Sequence, residues 1–284
     1  MIKFGTSGWR GIIGEDFTFD NVRIATQGIA NYLKKSGQKG NGVVVAYDTR
    51  FLSEKFAAEA AKLLAFNGIQ AYLCTRDVPT PCVSFETVRR KAMGAINFTA
   101  SHNPPEYNGI KFSTPDGAPA LPEVTKRIEA EIAALDTAGK GASIAGVKPA
   151  AAQPLDPRGM YLSRLREIVD FKAIHKAELR VVFDPLWGAA RGYPDTLLAE
   201  AGVDVATVHD CRDVLFGGHA PEPDDHLLGD LRAEMRAMKA HIGIATDGDA
   251  DRFGIVDEDG TFFQPNYIIA LLFDYLVESR GWKN

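Results

Sequence analysis

Val43-Val-Val-Ala-Tyr-Asp48 is a short β-branched run closed by a carboxylate, and it reads as a buried strand. An Ala-rich amphipathic helix follows from about Ser53 to Asn67, with Ser53 placed to cap it and Gly68 to end it. Next come a strand, Ile69 to Cys74, and a helix after Pro79-Thr-Pro81. A strand, Ala95-Ile-Asn-Phe-Thr99, then enters the loop Ala100-Ser-His-Asn-Pro104. The same order recurs from Arg180-Val-Val-Phe-Asp184. A helix is expected from about Gly188 to Ala201, closed by Gly202, then a strand from Val203 to Val208. A helix from about Asp225 to Lys239 precedes the strand Ile242-Gly-Ile-Ala-Thr246, which enters Asp247-Gly-Asp-Ala-Asp-Arg252. The helix-to-strand junctions Ala65-Phe-Asn-Gly68-Ile and Ala199-Glu-Ala-Gly202-Val align. Two α/β domains of similar topology are therefore expected, with mainly parallel sheets. Ligands of such sheets sit beyond the carboxyl ends of the strands, where both unusual loops fall.

Outside these units, Ala138 to Pro154 is rich in Ala, Gly and Pro and reads as a surface connection. A helix from Arg158 to Val169 opens the second unit. After Asp257-Glu-Asp-Gly260, an apolar helix begins near Asn266 and runs to about Ser279, with no strand after it to pack on.

The 284 residues suffice for about two domains with real cores. Hydrophobic residues make up 45% and charged residues 24%, which argues against disorder. The net charge of −5 argues against a dedicated nucleic-acid binder, so an anionic ligand would need local cations. Cys74, Cys82 and Cys211 lack CxxC spacing, which points to a reducing compartment and no zinc site. No signal peptide is apparent, and the apolar stretch Tyr267 to Val277 is too short to span a bilayer and carries Asp274. A cytoplasmic protein with no membrane partner is the expectation.

Four segments carry candidate chemistry. Asp247, Asp249 and Asp251 alternate with Gly248 and Ala250. Alternate carboxylates converge only on a loop or extended backbone, and three of them suit a hard cation such as Mg²⁺. An EF-hand fails, because Arg252 stands where that loop needs glycine. Ser101 directly follows a strand, but G-x-S-x-G is absent, and taken alone Ser101, His102 and Asn103-Pro104 would as readily form a turn. Asn108-Gly109 is a hairpin-turn signal that would fold Lys111 back beside the Ser101 loop. Gly5-Thr-Ser-Gly8-Trp-Arg-Gly11 is not a dinucleotide fingerprint or a Walker loop; it could offer backbone N–H groups and Arg10 to an oxyanion.

Together, Thr6-Ser-Gly-Trp-Arg-Gly11, Thr99-Ala-Ser-His-Asn-Pro104 with Asn108-Gly-Ile-Lys111, and Asp247-Gly-Asp-Ala-Asp-Arg252 stand in one order at domain-scale spacing. The chain resembles the α-D-phosphohexomutases, the phosphoglucomutase/phosphomannomutase family, over almost its whole length. The resemblance implies two tandem three-layer α/β domains, 1–155 and 156–258, and the start of a third at 259–284. It implies that Ser101 is carried as phosphoserine. It also implies that Asp247, Asp249 and Asp251 bind one Mg²⁺ that touches the Ser101 phosphate. Arg252 is expected on the reacting phosphate and Lys111 in proton transfer. Arg10 and His102 match the arginine and histidine of the family's site.

The implied reaction exchanges 1-phospho and 6-phospho sugar through a sugar bisphosphate, with glucose the leading sugar and glucose 1,6-bisphosphate the activator. Mannose and glucosamine phosphates are in-family alternatives. Phosphoserine and three aspartates carry about five negative charges and Mg²⁺ returns two, so Arg10, Lys111 and Arg252 are needed nearby. The family has four domains, so the chain is expected to be a fragment lacking most of domain III and all of domain IV. A non-catalytic remnant and a Mg²⁺-dependent phosphatase are the rival readings.

Overall fold

The structure, a computed structural model, describes residues 2–5, 8–37, 39–137 and 151–283. Thr6 and Ser7 of the N-terminal motif, and 138–150 of the expected surface connection, lie outside the described residues.

The first unit runs β1 (Trp9–Ile12), α1 (Phe19–Lys35), β2 (Val43–Tyr47), α2 (Ser53–Phe66), β3 (Ala71–Cys74), α3 (Thr80–Arg90), β4 (Gly94–Phe98), β5 (Tyr107–Ser113), α4 (Pro122–Thr137) and β6 (Gln153–Leu155). Then follow α5 (Arg158–Ile168), α6 (Phe171–Lys176), β7 (Arg180–Asp184), α7 (Pro194–Glu200), β8 (Asp204–Thr207), α8 (Gly229–Met238), β9 (Ile242–Thr246), β10 (Phe253–Asp257), β11 (Phe262–Phe263) and α9 (Pro265–Asp274).

The strands form a six-stranded sheet, β1-β5-β4-β2-β3-β6, and a five-stranded sheet, β11-β10-β9-β7-β8. Both sheets are mixed. β4, β2, β3 and β6 pair in parallel, as do β9, β7 and β8, while β5, β1, β10 and β11 add antiparallel edges. The repeat read from the sequence is visible in the topology: β5-β4-β2-β3 in one sheet matches β10-β9-β7-β8 in the other. The Ser101 loop joins β4 to β5, and the Asp247–Arg252 loop joins β9 to β10. They are equivalent hairpin connections in the two repeats.

Continuous apolar strands build the interior. Every residue of β2 and β4 is buried, as a strand covered on both faces requires. Phe17, Ile29, Phe56, Leu64, Ile96, Phe98 and Ile110 join them in the larger core, which also takes Leu162 of α5 and Leu197 of α7. Val182, Leu228, Leu231, Met235, Ala245 and Val256 form a smaller second core.

Four local expectations are corrected. Ser53 does not cap α2; Leu52 occupies the cap with φ 61, because the Ser53 hydroxyl is committed to Asp48 Oδ1 at 3.1 Å. The helix expected from Gly188 begins only at Pro194, since Leu186 and Trp187 hold left-handed backbone (φ 46 and 55) and Pro194 has no N–H to give a helix interior. The helix expected from Asp225 splits into a 3₁₀ turn, Asp225–Leu227, and α8.

Asn108-Gly109 is not a turn either: both residues lie inside β5, and the reversal occurs between β4 and β5. Gly109 is there because β1 and β4 close on it; a Cβ would lie 2.6 Å from the Thr99 carbonyl oxygen and 2.7 Å from that of Trp9. By contrast Gly68 and Gly202 end their helices as expected, at φ 75 and 78. The apolar helix near Asn266 is α9, with Tyr267, Leu271 and Phe273 exposed. Among the described residues, no helix is long and apolar enough to cross a membrane.

Candidate active site and metal centre

The two hairpin connections meet. Ser101 follows β4, is 1% exposed, and takes left-handed backbone at φ 54, an uncommon state for a residue with a Cβ. Its N–H donates to Thr99 Oγ1 at 2.8 Å, and its hydroxyl donates to Asp247 Oδ2 at 2.7 Å. Close approach is possible because Gly248 lacks a side chain: a Cβ there would lie 2.7 Å from the Ser101 carbonyl oxygen.

The loop after β9 gathers Asp247, Asp249 and Asp251, whose ligand atoms all lie within 4.8 Å of one another. Asp247 Oδ1 accepts from the N–H groups of Asp251 and Arg252, each at 3.0 Å, and Ala250 turns the loop at φ 57. Asp249 is fully buried. Its Oδ2 accepts from Lys111 Nζ and from Thr80 Oγ1, each at 2.6 Å, while its Oδ1 has no hydrogen-bond partner. A buried carboxylate oxygen without a donor is costly unless something else occupies it. All three side chains supply oxygen donors, so the set fits a hard divalent cation.

Charge sets the proton affinities. Burial, then the carboxylates of Asp249 and Asp251, push Asp247 up to about 8. Burial also acts on Asp249, but the Lys111 ammonium and the hydrogen bonds from Lys111, Thr80 and Asp247 outweigh it and hold this carboxyl below its ordinary value. Lys111 shows the mirror image: burial lowers its proton affinity, and Asp249 and Asp251, the latter at 2.8 Å, raise it more. Lys111 is therefore a held cation and a proton donor in this state. A cation bound by the three aspartates would displace the proton that Asp247 retains.

Arg10, His102 and Arg252 stand near enough to the triad to feel its charge and one another's. Arg10, on β1, donates from Nη1 to Asn103 Oδ1, and its Nε is buried without a partner. Burial, and the nearby charge of Arg252, lower His102, whose Nδ1 is also unpartnered. The Arg252 side chain is largely exposed and lies 3.5 Å from Glu222, so its backbone N–H, not its guanidinium, contacts the triad. Ser101, Lys111 and the aspartates are thus brought into direct contact, with Arg10, His102 and Arg252 around them.

Arg50 was not singled out from the sequence. It is fully buried and donates to the carbonyl oxygens of Ser101 (2.7 Å), Asn103 (2.6 Å), Pro104 (2.8 Å) and Tyr107 (3.0 Å). Its Nε pairs with Asp48, a carboxyl that burial raises against the pull of Arg50. Phe216 lies beneath the guanidinium, 5.1 Å from its ring centroid. The available signal was an arginine two residues beyond the carboxylate that closes the β2 run.

Comparison with known proteins gives the same architecture. Residues 1–139 match the model for phosphoglucomutase/phosphomannomutase alpha/beta/alpha domain I, and residues 159–260 the model for domain II. A "Probable phosphoglucosamine mutase" of Methanothermobacter thermautotrophicus is 34% identical over 277 residues, covering 95% of this chain and 57% of that protein. A "Phosphoglucomutase/phosphomannomutase" of Thermococcus kodakarensis is 32% identical over 98% of this chain and 60% of its own length. The crystal structure of a Thermus thermophilus protein described as a phosphomannomutase superposes with a TM-score of 0.89 at 34% identity, covering 98% of this chain and 62% of that one. This chain therefore spans about three fifths of the length of these relatives, and it belongs to the phosphoglucomutase/phosphomannomutase family.

Proposed function

We propose that this chain carries the phosphoserine and metal-binding half of a phosphohexomutase, which exchanges the phosphate of a hexose between its 1- and 6-positions. The observation that carries the reading is the hydrogen bond of 2.7 Å from Ser101 Oγ to Asp247 Oδ2, which puts a buried serine against three converging carboxylates. In this reading the protein is a phosphoprotein and an isomerase. Its units are 1–155 with the serine loop and 156–258 with the aspartate loop, and 259–284 open a third.

The phosphoryl group on Ser101 passes to the free hydroxyl of a hexose phosphate. The bond from phosphorus to Oγ breaks, a bond from phosphorus to the sugar oxygen forms, and the proton lost by the sugar hydroxyl is balanced by the one gained by the departing Oγ. The other phosphate of the resulting bisphosphate then returns to Oγ, and the Oγ proton likewise ends on the sugar oxygen that phosphorus leaves. A Mg²⁺ held by Asp247, Asp249 and Asp251 would neutralise charge on the phosphoryl group. Lys111, already protonated, supplies positive charge, gives a proton to the leaving oxygen of each half-reaction and regains one from the attacking hydroxyl. Arg10 and Arg252 hold phosphate oxygens, and His102 stands beside Ser101. Burial of Ser101 keeps water from the phosphoserine, which hydrolysis would otherwise discharge.

The relatives bear glucosamine, glucose and mannose names, so the substrate class is a hexose phosphate, with glucose first to test. The chain is incubated with glucose 1,6-bisphosphate, Mg²⁺ and each hexose 1-phosphate in turn, and sugar products and free phosphate are measured. Phosphoryl exchange between sugars that Ser101→Ala abolishes supports the reading. Steady release of inorganic phosphate favours a phosphatase, and no transfer at all favours a binding remnant.

A further inference from the structure

The three aspartates stand on the second repeat, yet the hardest-held carboxylate is gripped by the first. Thr80 opens α3 and contacts Asp249 twice. Its N–H donates to the Asp249 carbonyl oxygen at 2.8 Å, and its hydroxyl donates to Asp249 Oδ2 at 2.6 Å. Behind it, Asn97 of β4 donates from Nδ2 to Thr80 Oγ1 at 2.8 Å. Asn97 is 2% exposed and stands directly across the sheet from Lys111, the other donor to Asp249 Oδ2.

Donor and acceptor counting makes this chain directional. An ionised carboxylate only accepts, so the single Thr80 hydroxyl proton points at Asp249. Thr80 Oγ1 must then accept from Asn97, which fixes the Asn97 amide with its nitrogen towards Thr80. Rotated by half a turn, the amide would compete for that proton. With Oδ2 taken by Thr80 and Lys111, Oδ1 is left buried with no donor from either, available to a proton held by Asp247 or to the ion that would displace it.

We propose that Thr80, set by Asn97, is a positioning residue that orients Asp249 so that Oδ1 faces the cation. The proposal rests on the metal reading of the aspartate loop, and it makes the centre dependent on contact between the two repeats. Thr80 touches neither substrate nor cation and acts through Asp249. Lys111 supplies charge to the same oxygen, but its ammonium is shared with Asp251, whereas Thr80 holds both the carboxylate and the backbone carbonyl of Asp249.

The test uses Mn²⁺ as the probe, read by electron paramagnetic resonance on the full chain without sugar. Outer-shell partners of metal ligands change affinity by about 10- to 100-fold when removed. Thr80→Val, close in shape but without the hydroxyl, is expected to weaken Mn²⁺ binding by about tenfold or more. Thr80→Ser restores most of that affinity. Asn97→Ala leaves the hydroxyl in place but frees it, and is expected to weaken binding in the same direction by less, which serves if the valine variant fails to fold. Unchanged affinity in the folded variants would overturn the positioning role while leaving the metal reading intact. No Mn²⁺ binding by the unsubstituted chain would overturn the metal reading, and this proposal with it.

Discussion

Arg50 Nη2 donates to the carbonyl oxygen of Ser101 at 2.7 Å, so the Ser101 backbone hangs from a buried guanidinium on the neighbouring strand's loop. Three further carbonyls of the same connection share that guanidinium. Arg50→Met would leave those acceptors unpaired and strand the Asp48 carboxylate. Removing one partner of a buried pair costs about 3–5 kcal/mol. The expected result in urea unfolding is a loss of that size, together with loss of transfer at Ser101. A stability change within about 1 kcal/mol would contradict the loop-holding role.

Gly248 is where the two loops touch. Gly248→Ala places a Cβ 2.7 Å from the Ser101 carbonyl oxygen and 3.0 Å from Pro221 Cγ. Neither side is free to yield, so the loops must part. Overpacking of this kind costs about 1–3 kcal/mol, and misplacement of a reacting group by about 1 Å can cost about 100-fold in rate. Single-turnover transfer should slow by more than tenfold while the protein remains folded. Transfer at the unsubstituted rate would show that the loop spacing is not critical.

Metal and stability should be linked. A ligand that binds only the folded chain stabilises it by about 2.7 kcal/mol at 100 times its Kd. Mg²⁺ titration during denaturant unfolding is expected to give this gain in the unsubstituted chain. Asp249→Asn removes a carboxylate charge from the triad and should remove most of the gain. An equal gain in both would place the ion elsewhere.

The second repeat carries a pH-dependent element. His209 Nδ1 lies 3.0 Å from Asp184 Oδ1 and its Nε2 3.2 Å from Asp230 Oδ2, beneath the stacked ring of Trp187. Burial lowers its proton affinity, but the bonds and charges of Asp184, then Asp230, raise it above the ordinary imidazole value. A raised folded-state value gives a contribution that is complete below about pH 6.5 and fades as pH rises through the folded value. Melting temperatures against pH should therefore fall faster for the natural chain than for His209→Gln above that point. Parallel curves would show that His209 carries no such contribution.

Much of this fold was legible because β2, β4, β7 and β9 are nearly pure apolar runs, each closed near its end by a polar residue. Pattern alone placed the two loops at equivalent strand ends. Asn108-Gly109 misled for a physical reason: the same dipeptide that suits a tight turn also suits a strand squeezed between two others, and only tertiary contact with Trp9 and Thr99 decides. Ser53 misled similarly, since its hydroxyl had a long-range partner in Asp48. The aspartates could be named from their own spacing, whereas Ser101 and Lys111 could be named only through the family resemblance, whose motifs are several residues long and stand in one order. Thr80 and Asn97 could not be named, because Thr80's partner Asp249 is distant in sequence and Asn97 acts through Thr80. Arg50 was signalled only by its spacing from Asp48, since the carbonyls it holds lie 51 to 57 residues on.

Acceptance of a phosphoryl group by Ser101, beside the aspartate triad, is what the proposed function requires first. The most direct measurement is intact mass of the chain after incubation with glucose 1,6-bisphosphate and Mg²⁺, with the modified residue located by peptide fragmentation. One added phosphoryl group is expected, on Ser101, absent from Ser101→Ala and from samples with Mg²⁺ chelated. A chain that stays unmodified, or is modified at another residue, would contradict it.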